Sequence, residues 1–187
     1  MFEEFSFDDF STELVDLSVK KTQKFGRLWK IGYGGSIAFT SLYNGVVYFG
    51  SMDHNLYAVD AKNGKEIWRF RTGGIVTAVP TLFEKILLVC SHDKYVYALA
   101  ADSGKELWRF NSGSELFDGP AVNGDKMYCG SRDGNIFCVS IKTGKEIWRF
   151  RTGDDIICAA ASYEKNILIG SFDGYLYCLD ADRGKEI

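Results

Sequence analysis

Apolar residues along this chain fall in short continuous runs, with no segment of any repeat carrying helical spacing. Residues 75 to 113 serve as a specimen. There IVTAVPTL, ILLVCS, YVYALA and ELWRFN are four runs rich in β-branched and aromatic side chains, the composition of strands. Runs such as VVYFG and ILLVC are apolar at successive positions, which predicts strands covered on both faces. The second and third runs are separated by MDHN, HDK, RDGN and FDGY in successive repeats, with Asp53, Asp93, Asp133 and Asp173 at a fixed place, a hairpin signal. The third and fourth are joined by AKNGK, ADSGK, IKTGK and ADRGK, where Gly64, Gly104, Gly144 and Gly184 supply the positive φ of a tight turn.

The runs belong to a long repeat. GKEIWRFRTG occupies 64–73 and again 144–153, GKELWRFNSG occupies 104–113, and GKEI returns at 184–187. Trp29, Trp68, Trp108 and Trp148 are spaced by 39, 40 and 40 residues. Four-stranded antiparallel units recurring every ~40 residues predict an all-β propeller with about four blades in this chain. If Asp133-Gly134 is a two-residue turn, Cys129 faces Cys138 across the hairpin, as Phe49 faces Ala58, Val89 faces Ala98 and Ile169 faces Cys178.

The stretch from Ala58 through Asp60, Asn63, Gly64 and Lys65 to Trp68 resembles the tryptophan-docking motif of quinoprotein, or PQQ-like, β-propellers, Ala-x-Asp-x-x-Thr-Gly-Lys-x-x-Trp. It returns as Ala98, Ser103, Gly104, Lys105 and Trp108, then as Cys138, Thr143, Gly144, Lys145 and Trp148, and last as Cys178, Asp180, Gly184 and Lys185. The Asp is replaced at Ala100 and Ser140, and the Ala twice by Cys. The resemblance spans about 27–187 and implies the propeller fold, not an activity. On the physical side, an indole on an outer strand is expected to cover a small residue of the adjacent blade, namely Ala58, Ala98, Cys138 or Cys178. Each burial stabilises by about 2–3 kcal/mol. The four tryptophans are therefore read as structural.

Two regions follow: a lead-in over 1–26 and propeller repeats over 27–187. In the lead-in, Phe2, Phe5, Phe7 and Phe10 alternate with acidic residues, and a short helix is expected to begin at Ser11. It reads as a solvated segment, the end of an upstream domain, or a partner-binding peptide. RLWKIG at 27–32 resembles an outermost strand without its blade, whereas the last blade lacks its outermost strand. Three closures stay open. Residues 28–31 complete the last blade within one chain, two chains complete each other as a homodimer with eight blades, or these residues are a fragment of a seven- or eight-bladed ring. The resemblance favours the larger ring.

Composition narrows the function. With 46% hydrophobic and 25% charged residues the chain can build a packed core, and its net charge of -3 offers no basic field for nucleic acid. No apolar stretch approaches the roughly 18 residues of a membrane span, and the first sixteen residues hold acidic side chains without Lys or Arg, so no membrane association and a cytoplasmic location are expected. Five cysteines without a Cys-x-x-Cys pair suggest neither a disulfide framework nor a metal site. Each Gly-Lys is followed by Glu66, Glu106, Glu146 or Glu186, which excludes a phosphate-binding loop, and His54 and His92 form no nucleophile triad.

Two functional readings remain. The resemblance implies, as the alternative, a PQQ-dependent dehydrogenase or a quinone-binding fragment of one, using calcium. Such enzymes often carry adjacent cysteines over the quinone, and this chain has none, so no cofactor is expected outside that alternative. The leading expectation is a non-catalytic scaffold that binds a protein partner through loops that vary between repeats: RTGGIV, NSGSELFDG and RTGDDII. The expected partner-facing residues are Arg71, Glu115, Phe117, Asp118, Arg151, Asp154 and Asp155, with His54 and Arg132 in the hairpins.

Overall fold

The structure is a computed structural model that describes residues 29–187; the expectations for residues 1–26 lie outside the described residues. The first blade holds β1 (Ile37–Tyr43), β2 (Val46–Ser51), β3 (Asn55–Asp60) and β4 (Glu66–Arg71). The second holds β5 (Thr81–Phe83), β6 (Ile86–Cys90), β7 (Tyr95–Ala100) and β8 (Glu106–Asn111). The third holds β9 (Ala121–Asn123), β10 (Lys126–Gly130), β11 (Asn135–Ser140) and β12 (Glu146–Arg151), and the fourth β13 (Ala161–Tyr163), β14 (Asn166–Gly170) and β15 (Leu176–Asp180). Each sheet pairs in chain order, four-stranded in blades 1 to 3 and three-stranded in blade 4. The chain is thus an all-β propeller arc of four blades, with no helix among the described residues.

Continuous apolarity has the expected cause. Leu87 and Leu88 are neighbours on β6, point to opposite faces, and are both fully buried. Leu87 belongs to the layer between blades 1 and 2, with Leu56, Trp68 and Val89, while Leu88 joins Cys90, Met127 and Phe137 between blades 2 and 3. A third layer between blades 3 and 4 contains Tyr128, Ile136, Ile167 and Leu179. The core is therefore a series of slabs between blades.

The hairpin register differs by one residue from the two-residue turn. Tyr128 stands opposite Cys138 and Cys129 opposite Phe137. The loop is three residues long: Ser131 N–H donates to Asn135 O at 2.9 Å and Gly134 N–H to Ser131 O at 3.0 Å. Its last residue is left-handed in every blade, at His54, Lys94, Gly134 and Gly174. In three blades the aspartate stabilises this form, because Oδ1 of Asp53, Asp93 and Asp173 accepts the N–H two residues on at 3.1, 3.1 and 3.0 Å. A one-residue slip exchanges faces. Cys129 thereby turns from Cys138 toward blade 2, where it and complete burial hold the Cys90 thiol well above its ordinary pKa.

The tryptophans dock between blades, on a different seat from the one expected. Nε1 of Trp29, Trp68, Trp108 and Trp148 donates to the carbonyls of Ala61, Ala101, Ile141 and Ala181 at 3.0, 3.0, 2.8 and 3.1 Å, each in the following blade. The rings cover Gly64, Gly104, Gly144 and Gly184, where an added Cβ would fall 2.7, 2.7, 2.6 and 2.4 Å from the indole. Ala58, Ala98 and Cys138 instead stand across from Trp68, Trp108 and Trp148 within the same blade. A bulge beside each of these pairs offsets the outer strand. The required small seat is glycine, which also meets the turn's positive φ of 64–70°. Cys178 stands opposite Leu168 and has no indole across from it among the described residues.

Closure within the chain is not adopted. Among the described residues, 29–31 form no ladder with β15, whose outer side makes a single bridge, Leu179 with Glu186. Apolar side chains stay exposed in both terminal blades, Phe39 and Leu42 in blade 1 and Tyr163 and Leu176 in blade 4.

Candidate functional site

Two sets of loops share one face of the arc. The loop leaving each outer strand lies against the hairpin of the same blade: Thr72 N–H donates to His54 O at 2.9 Å, Ser112 to Lys94 at 2.9 Å and Thr152 to Gly134 at 2.8 Å. Their hydroxyls donate to the same carbonyls at 3.0, 2.8 and 3.0 Å. All three side chains are buried, so the frame of this face is rigid.

On that frame the hairpin aspartates are tied down in blades 2 and 4. Asp93 Oδ2 accepts the Gly73 N–H at 2.6 Å and the Tyr97 hydroxyl at 2.7 Å, and Asp173 does the same with Gly153 at 2.6 Å and Tyr177 at 2.7 Å. In blade 1, Asp53 takes the Tyr57 hydroxyl at 2.6 Å. Burial raises the Asp53 carboxyl, but Tyr57, Ser51 and Asn55 outweigh it and hold the carboxyl below its usual value. The Tyr57 hydroxyl is pushed up to about 12, first by burial and then by its bond to Asp53.

Blade 3 breaks this pattern. The tyrosine is replaced by Phe137, and the preceding Gly113 gives its N–H to Asn111 Oδ1 at 2.8 Å. Asp133 is exposed and bonds only within its own hairpin, to Ser131 Oγ at 2.5 Å and Asn135 Nδ2 at 2.8 Å. A different network fills the junction. Arg132 pairs with Glu115 at 2.7 Å and Asp155 at 3.5 Å, and its guanidinium lies 5.9 Å from the Phe117 ring centre. Phe117 stands 4.3 Å from the His92 ring, whose Nε2 meets Thr77 Oγ1 at 2.8 Å. Asp118 accepts the N–H of Gly119 at 2.7 Å and of Ala159 at 2.9 Å, tying blade 3 to blade 4. The Arg132 guanidinium holds the Glu115 carboxyl low. Burial depresses His92, with Arg132 adding to that effect and Glu115 and Asp93 opposing it.

Of the expected partner-facing residues, Glu115, Phe117, Arg132 and Asp155 meet directly, and Asp118 lies beside Phe117. Asp154 is exposed next to Asp155, its Oδ1 accepting the Asp155 N–H at 2.8 Å. Arg71 and His54 stand apart on blade 1, where Arg71 Nη1 reaches Asp53 O at 3.4 Å, and Arg151 is exposed at the end of β12. His92 and Thr77 join the cluster without having been singled out for it. The available signal was position: His92 shares its repeat place with Arg132.

Among the described residues no group of three or more His, Cys, Asp or Glu side chains is placed to hold a metal ion. The residues gathered on this face are Arg132, Glu115, Asp155, Phe117 and His92. What they offer is a charged and aromatic surface on a rigid frame.

The family model described as outer membrane protein assembly factor BamB matches residues 18–99 and 92–187. The chain belongs to this family of PQQ-like propellers. Over 40 residues, 21% of this chain and 6% of the relative, it is 52% identical to a 1-butanol dehydrogenase (quinone) of Thauera butanivorans. It superposes on BamB of Moraxella catarrhalis with a TM-score of 0.75 and 19% identity, covering 84% of this chain and 54% of that one. The computationally designed Ika4 matches at TM-score 0.75 and 18% identity over 83% of this chain and 98% of Ika4, and the designed Ika8 at 0.76 and 18% over 83% of this chain and 49% of Ika8. These likenesses show the fold. The chain spans 6% of the dehydrogenase and about half of BamB.

Proposed function

We propose that this chain is a non-catalytic scaffold that binds a protein partner through the loop face of blades 2 to 4. The observation that carries the reading is the Arg132, Glu115, Asp155, Phe117 and His92 cluster, built at the junction where the repeated aspartate bonding is abandoned. Glu115, Asp118, Asp133, Asp154 and Asp155 outnumber Arg132, Lys94 and Arg151 on that face, which favours a partner presenting basic groups around an apolar contact for Phe117. The same reading keeps the chain in the cytoplasm.

A partner captured by the whole chain should be lost when Asp154 and Asp155 are both changed to Lys, and weakened by Arg132→Ala. Retention of every captured partner by both variants would refute the assignment of this face. The short match to a quinone dehydrogenase supports one alternative, a quinone-dependent oxidation. Added quinone with calcium and an alcohol should then reduce a dye. No binding at high micromolar quinone removes that reading.

A further inference from the structure

At one junction of the arc two repeat positions change together. Between blades 1 and 2 these positions are Gly50 and Val89, and between blades 3 and 4 they are Gly130 and Ile169, whereas between blades 2 and 3 they are Cys90 and Cys129. At both glycines the next blade leaves no room for a side chain. An added Cβ would fall 2.3 Å from Val76 O and 2.4 Å from its Cγ1 at Gly50, and 2.1 Å from Ile156 Cγ2 at Gly130. The counterpart of Val76 and Ile156 is Leu116, which is not branched at Cβ, and this junction admits a thiol. Cys90 is 0% and Cys129 2% exposed.

The two thiols come from different blades and face one another in the slab that also holds Leu116, Phe137 and Val139. Cys129 acts on the Cys90 thiol more strongly than complete burial does, a mark of their proximity, and together they hold it well above its ordinary pKa. Cys138, the other cysteine of the same hairpin, lies on the opposite side of blade 3, against blade 4. The pair also sits at the base of the loop face. Cys90 ends the strand that leads into the hairpin of His92, and Cys129 stands on the strand that leads into the hairpin of Arg132.

We propose that Cys90 and Cys129 are an oxidation site, at which hydrogen peroxide closes a disulfide bond between blades 2 and 3. The peroxide converts one thiol to a sulfenic acid and releases water; the other sulfur then displaces the hydroxyl, and a second water departs. Two thiols thus lose two electrons and two protons, one S–S bond replaces two S–H bonds, and the peroxide is reduced to two waters. Burial makes the first step slow, whereas the second joins groups already held together. The bond crosses a junction that otherwise has no covalent tie, and in the unfolded chain it closes a loop of about one repeat. It fixes the hairpins of His92 and Arg132 relative to each other, independently of what that face binds.

A peptide map tests the bond, on the whole chain carrying Cys158→Ser to remove the exposed thiol. Trypsin places the remaining thiols in separate peptides, 86–94, 127–132, 133–142 and 166–183. After millimolar hydrogen peroxide under native conditions, 86–94 and 127–132 should appear joined, two hydrogens lighter than their sum, and should part on reduction. The oxidised chain should also unfold at a higher denaturant midpoint, which falls back on reduction. Cys129→Val installs the residue found at Val89 in blade 2, and should give neither the joined peptide nor the rise. A bond from Cys129 to Cys138, oxidation that ends at separate sulfinic acids, thiols that stay free until the chain unfolds, or a rise that survives Cys129→Val overturns the proposal.

Discussion

Asp93 in blade 2 and Asp133 in blade 3 occupy the same repeat position, yet one is locked into the frame and the other is released to the surface. Asp93 bridges three elements: the Gly73 N–H from the preceding loop, the Tyr97 hydroxyl from β7, and the Tyr95 N–H of its own hairpin. Asp133 has none of these three partners: Phe137 lacks the hydroxyl, the Asn111 side chain takes the Gly113 N–H, and the Asn135 N–H is not bonded to it, so it meets only Ser131 Oγ and Asn135 Nδ2 of its own turn. In the space next to it stand Arg132, Glu115 and Phe117, which have no equivalents in blade 2, where the same positions are His92, Ile75 and Thr77. A repeat protein gains a distinctive surface where one copy is freed from a structural duty that its neighbours still perform.

The frame common to both blades should give the largest effect. Trp68→Ala removes an indole that is 9% exposed and its bond to Ala101 O, and should cost about 3–5 kcal/mol in chemical denaturation. A loss under about 1 kcal/mol would mean that the indole is not what joins the blades.

The comparison itself predicts a smaller, unequal pair. Asp93→Ala leaves the Gly73 N–H and the Tyr97 hydroxyl without their acceptor and should cost about 2–3 kcal/mol, against about 1 kcal/mol or less for Asp133→Ala. Phe137→Tyr sharpens the test by restoring the missing hydroxyl. In that background Asp133→Ala should become more costly, and a double-mutant cycle without coupling would break the analogy.

Next comes pH. The Tyr57 hydroxyl titrates near 12 when folded against 10.0 when free, so its contribution is complete below about pH 10 and is lost as pH rises through about 12. Asp53 is held below 3.8, so its contribution is complete above that value and is lost as pH falls through the folded value. Denaturation midpoints across pH should show both limbs. Tyr57→Phe should weaken the alkaline one, to which blade 3 adds no hydroxyl at the Phe137 position.

The smallest effect belongs to the exposed cluster. Glu115→Gln breaks a surface ion pair with Arg132 and should leave the denaturation midpoint unchanged within error, while partner binding weakens. A clear loss of stability would show that the cluster serves the frame rather than a partner.

Blade number, strand order and the docking tryptophans were legible in the chain, since each depends on residues within one ~40-residue repeat. The hairpin register was not, because Asp53, Asp93 and Asp173 supply from a side chain an acceptor that the two-residue turn takes from the backbone. The indole seat was misplaced for a similar reason. The bulge after Ala58 offsets the outer strand, so Trp68 reaches Gly104 of the following blade, a contact that spacing within one repeat does not reveal.

The sequence by itself determined that four sheets form and that glycine closes each outer turn, because apolar runs, turn chemistry and the Trp period are local properties. Only the tertiary structure decided that His92 of one blade meets Phe117 of the next, that Cys129 faces Cys90, and that Leu176 is left uncovered. Those facts depend on the angle and offset between neighbouring blades, which are set by packing between sheets and have no signature along a single strand.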